Sequence, residues 1–170
     1  MNIFLTSGTM NFMETLQKQF AHEDMIVMHG ARNTILLHET TGKTLFQTPR
    51  RYEVISSSGT LQQHGFFALN NIPVTDEGRP IFEHRFHNRA DTISAAPGFI
   101  AHRLLRPLNS DTYIVLTQWT AKNFFELWKD SSIYTYIHTN NESGIGLDKT
   151  PHIFSSAAYL MTYKGIDEED

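Results

Sequence analysis

The sequence predicts an α+β fold, an antiparallel sheet with helices laid against one side. Three observations carry this reading. From residue 65 onward the elements follow the order β-α-β-β-α-β, which is the split βαβ, ferredoxin-like arrangement. The strand runs are short and rich in β-branched or aromatic residues, whereas the runs between them carry apolar residues at helical spacing. The first 64 residues give a shorter β-α-β-β version of the same order, a degenerate half-repeat.

In chain order, Asn2 to Thr6 reads as a short apolar strand. Thr9 to Phe20 reads as an amphipathic helix, with Met10, Met13 and Leu16 or Gln17 at helical spacing. Met25 to His29 and Thr34 to His38 are strand runs joined by a hairpin-like Gly30-Ala-Arg-Asn33. Thr41-Gly42-Lys43 is a turn before a short strand at Leu45-Phe46. Tyr52 to Ile55 reads as one helical turn ahead of the loop signal Ser56-Ser-Ser-Gly59.

Gly65 to Val74 is then a strand, and Glu77 to Thr92 a helix with Ile81, Phe82, Arg85, Phe86 and Arg89 near one face. Pro97-Gly98 punctuates the chain before a strand from Phe99 to Leu105. A turn follows, and Thr112 to Trp119 is the strongly β-branched return strand. Thr120 is the expected N-cap of a helix from Ala121 to Lys129, whose Ala121, Phe124, Phe125 and Trp128 fall at i, i+3, i+4 and i+7. Ile133 to His138 has ambiguous periodicity, Thr139 to Pro151 is loop-like, and Ala157 to Tyr163 is a closing strand before an acidic tail. The expected division is 1–64 and 65–170.

Composition narrows the function. Fourteen basic against eighteen acidic residues leave a formal charge of −4, with no long basic stripe, so nucleic acid is not the expected partner. The absence of cysteine removes disulfides, thiolate metal sites and cysteine nucleophiles, and suits a reducing compartment. Without a signal peptide pattern or a membrane-length apolar run, the chain reads as a cytoplasmic protein with no membrane partner. Nine histidines make histidine the expected holder of any heme iron or transition metal.

Three features carry chemistry. Asn70-Asn71 sits inside an apolar strand, where asparagine is depleted because its amide competes for backbone hydrogen bonds. Alternation puts Asn71 on the face of Phe67 and Leu69, and Asn70 with Ala68 and Ile72; either face is a candidate to line a pocket. Trp128 lies on the apolar stripe of its helix, where the bland reading is core and the alternative a wall against a flat ligand. His138 follows Tyr134, Tyr136 and Ile137; in an apolar setting it stays neutral, as an iron ligand must.

From Asn71 onward the chain resembles the antibiotic-biosynthesis-monooxygenase (ABM) superfamily, and within it the IsdG-type heme-degrading enzymes. The matching stretches are Asn70-Asn71 before Thr75-Asp-Glu-Gly78, the Pro97-Gly98-Phe99 corner, Val115-Leu-Thr-Gln-Trp119, and Phe124-Phe-Glu-Leu-Trp128 with His138 after it. The resemblance implies a functional triad of asparagine (Asn71 or Asn70), Trp128 and His138, with His138 on the heme iron. It implies heme as both substrate and cofactor, dioxygen, and electrons from an external reductase; no flavin or dinucleotide fingerprint is present. The whole chain resembles a longer HmoB-like subgroup, whose added N-terminal half implies a second sheet supplied in cis and a monomeric, pseudo-dimeric barrel. Residues 1 to 64 do not repeat the Asn-Trp-His set, so one heme per chain is expected.

Two other functions compete. The same subgroup resembles the TRAP family, proposed to act in signalling without catalysis, and cofactor-free ABM monooxygenases use similar Asn and Trp residues without an iron ligand. Other constellations are weaker: His84 and His87 at i, i+3 lack a third metal ligand and read as solvent-facing, and Ser56-Ser-Ser58 lacks a nucleophile-elbow pattern.

Overall fold

The computed structural model describes residues 1–87, 93–130 and 153–166. His138, residues 131–152 and the acidic tail lie outside them. The elements run β1 (Asn2–Gly8), α1 (Met10–Gln19), β2 (Met25–His29), β3 (Thr34–Thr40), β4 (Arg50–Gly59), β5 (Phe66–Pro73), α2 (Arg79–His87), β6 (Phe99–Pro107), β7 (Thr112–Trp119), α3 (Lys122–Trp128) and β8 (Tyr159–Lys164).

The eight strands close into an antiparallel barrel in the order β1-β3-β2-β8-β5-β7-β6-β4. This is the ferredoxin-like α+β fold in pseudo-dimeric form. One set of four runs β4-β1-β3-β2 and the other β8-β5-β7-β6, the same internal order twice, and the sets meet at β4–β6 and β2–β8. The seams differ. At the first, β4 pairs β6 from Tyr52↔Pro107 to Gly59↔Ala101, with one register shift between Val54 and Ser56. At the second, β2 and β8 share one pair, His29↔Lys164. There Gln63 substitutes for a missing strand: its Oε1 accepts from Val27 N at 3.1 Å and its Nε2 donates to Val27 O at 2.7 Å.

Alternation along the strands divides the apolar residues into three cores. Residues from all eight strands, among them Ile3, Met28, Leu37, Tyr52, Phe67, Leu105, Leu116 and Tyr163, fill the barrel lumen. Phe4, Met13, Val27, Leu36 and Phe46 pack under α1. Phe66, Ala68, Phe82, Phe86, Val115, Trp119, Phe125 and Trp128 pack between the sheet and helices α2 and α3.

Several local readings hold closely. The helix expected over Thr9 to Phe20 forms over Met10–Gln19, where Thr9 is the cap, its Oγ1 accepting from Phe12 N at 3.3 Å, and β2 and β7 have their expected bounds. Residues 45–59 are corrected. No strand forms at Leu45-Phe46, and Tyr52 to Ile55 is not a helical turn; both it and Ser56 to Ser58 belong to β4. The serines pair across to Leu104, Arg103 and His102, a tertiary ladder that overrides their local loop preference. Thr120 is not the cap of α3. Its N–H is committed to Gly98 O at 2.9 Å, and the cap position falls to Ala121, which makes no side-chain cap bond.

Candidate ligand-binding face between the sheet and helices α2 and α3

Strand β5 is buried on both sides along its whole length, so each of its polar residues lands in an apolar core. Asn70 lies opposite Val115 of β7 and Leu160 of β8, both of which face α2 and α3. Asn71 lies opposite Ile114, which faces the lumen, and its Nδ2 donates to Leu69 O at 3.1 Å. The adjacent amides are therefore separated by the sheet itself, Asn70 on the helix side and Asn71 inside the barrel.

Trp128 is the last residue of α3 and is 8% exposed. Its ring lies 5.5 Å from that of Trp119 and 6.0 Å from that of Phe125. Trp119 is fixed in turn by its Nε1, which donates to Thr117 Oγ1 at 2.9 Å. The entry to α3 depends on Gly98, which has φ +77° and whose missing Cβ would stand 2.2 Å from Phe124 Cγ. The fold thus brings Asn70 and Trp128 to one buried, largely aromatic face and leaves Asn71 on the other.

Helix α2 covers this face and is held down at its first turns by a charged network. Arg106 forks onto Glu83, Nη2 to Oε1 at 2.5 Å and Nε to Oε2 at 3.0 Å, while its Nη1 reaches Glu53 of β4 at 2.5 Å. The Tyr113 hydroxyl donates to the same Glu83, and the Arg79 guanidinium stands 5.6 Å over the Tyr113 ring. Burial alone would raise the Glu83 carboxyl, but the hydrogen bonds from Arg106 and Tyr113 outweigh it and hold the group below its ordinary value. Burial, then Glu83, push the Tyr113 hydroxyl up, so it stays a donor.

A further polar residue on this face escaped the sequence reading. His102 of β6 pairs with Thr117, in the row that includes Ala68 of β5, and is 1% exposed. Its ring stacks on Phe86 of α2 at 5.7 Å and 20°. Burial, with the neighbouring Arg103, lowers its pKa to about 4, so the imidazole is neutral. Its Nε2 is buried and, among the described residues, has no hydrogen-bond partner. The available signal was the one that marked Asn70-Asn71: His102-Arg103 is a second polar pair inside an apolar strand. Arg103 turns to the lumen, where its Nε donates to Glu39 Oε2 at 2.7 Å.

Among the described residues, no group of three or more His, Asp or Glu side chains is placed to hold a metal ion. His84 and His87 lie exposed on α2, in line with the solvent-facing reading. No helix among the described residues is long and apolar enough to cross a membrane.

A heme-degrading monooxygenase of Listeria monocytogenes is 26% identical to this chain over 155 residues, covering 88% of this chain and 93% of the relative. The signal transduction protein TRAP of Staphylococcus epidermidis is 25% identical over 134 residues, covering 79% and 80%. Two solved structures share the fold. LmHde, a heme-degrading enzyme from Listeria monocytogenes, superposes with TM-score 0.78 at 20% identity over 98% of this chain and 100% of its own. A major regulator of staphylococcal pathogenesis does so with TM-score 0.84 at 22% identity over the same shares. Residues 65–140 match the antibiotic biosynthesis monooxygenase family. The matched stretch takes in β5, α2, β6, β7 and α3 of the barrel.

Proposed function

We propose that the chain is a heme-degrading monooxygenase, acting in the cytoplasm as a single-chain barrel with electrons from a separate reductase. The observation that carries this reading is the shared face of Asn70 and Trp128, buried between the sheet and helices in a chain 26% identical to a heme-degrading relative. An apolar, aromatic-walled face with a few polar groups suits a flat, hydrophobic ligand, and the unpartnered His102 Nε2 is a polar atom such a ligand would satisfy.

Each residue then has a task. His138 would hold the iron as a neutral imidazole, the role its place after Trp128 implies. Trp128, backed by Trp119 and Phe125, would be a rigid wall against the flat face of the ligand. Asn70, rather than Asn71, would donate a hydrogen bond toward the reacting centre, and a fixed amide dipole in a dry site is electrostatically strong. Helix α2, pinned through Glu83, would exclude water above them. When bound, heme supplies the dioxygen chemistry and is itself the substrate.

Titration of the protein with hemin tests the proposal. Wild type is expected to develop a stoichiometric Soret band that His138→Ala loses, and that bleaches with reductant and air. The similarity to TRAP favours a second reading, a signalling protein without catalysis. Absence of hemin uptake by wild type would favour it.

A further inference from the structure

The orphaned nitrogen of His102 has a physical cost. A buried donor or acceptor without a partner forfeits the water it left, and folded chains seldom tolerate this unless something else completes the bond. His102 cannot turn away to find one, because its ring is clamped in a stack on Phe86 and its strand is paired on both sides, to Thr117 and to Ser58. Neutrality at ordinary pH leaves it able to donate one hydrogen to an acceptor.

Its position relative to Asn70 identifies the acceptor. The two residues share the helix-covered face, two strands apart and offset by two residue pairs, which places their Cα atoms roughly 12 Å from each other. If Asn70 addresses the centre of a porphyrin, His102 lies toward its rim. The strong acceptors on that rim are the two carboxylates. Building on the heme reading above, we infer that His102 Nε2 donates a hydrogen bond to a ligand carboxylate and so fixes the rotation of the porphyrin on this face.

The test compares hemin with its dimethyl ester, which has the same ring and iron but no free carboxylate, by absorbance titration of the full chain. Wild type is expected to prefer hemin, and His102→Leu to lose roughly tenfold or more in hemin affinity while binding the ester as wild type does. His102→Gln keeps an amide donor; it is expected to retain part of the preference, and serves if the leucine variant does not fold. Hemin binding by His102→Leu or His102→Gln indistinguishable from wild type, or equal wild-type affinity for hemin and ester, would overturn the inference and leave the heme reading standing. No hemin binding by wild type would overturn both.

Discussion

Asn70 and Asn71 are neighbours in sequence and strangers in space: one faces the helices beside Val115 and Leu160, the other the lumen beside Ile114. This separation gives them different expected phenotypes. Asn70→Ala should lower hemin turnover by roughly 100-fold, the order seen when one preorganised donor is removed, with little change in hemin affinity. Asn71→Ala should leave the rate near wild type and lower the melting temperature. Steady-state turnover and thermal unfolding of both variants check this, and equal rates would remove Asn70 from the reaction.

Trp128 is buried core, and under the proposed function it is also the wall of the ligand site. Replacement by alanine removes buried aromatic area and is expected to destabilise the fold by roughly 3 kcal/mol. Trp128→Phe retains most of the packing against Trp119 and Phe125. It should bind hemin much as wild type does while turning over more slowly, because the smaller ring presses less on the ligand. Unchanged turnover in Trp128→Phe would reduce the residue to packing.

His102 makes stability depend on pH. Its folded-state pKa of about 4 lies below the ordinary 6.5, so the unfolded chain binds the extra proton first as pH falls. The contribution is fully present above pH 6.5 and is lost between 6.5 and 4. Its size is roughly 3 kcal/mol by linkage. Urea denaturation from pH 7 to 4 should show this decline in wild type and a flatter profile in His102→Leu.

Glu83 is the point where α2 is tied to the sheet, through Arg106 and Tyr113. Glu83→Gln removes the charge that both partners address and is expected to cost roughly 1–3 kcal/mol. Hydrogen exchange should rise in α2 before it rises in β7. Uniform protection in the variant would show that apolar packing of Phe82 and Phe86 suffices to hold the helix.

What the sequence alone determined was everything governed by short-range periodicity. The extents of β2 and β7, the presence of the helix α1, and the β-α-β-β-α-β order follow from spacings of two or three to four residues. Period-two alternation also showed that Asn70 and Asn71 must part company. Which of them would meet the helices was not local information: each side of β5 is defined by β7, β8 and α3, between about 40 and 95 residues further along the chain. The same holds for β4, whose serines read as loop until β6 supplies their partners, and for His102, whose isolation comes from Phe86 closing over it. Side-chain period is written in the chain, but the identity of each face is conferred by whatever packs against it, and only barrel closure decided that.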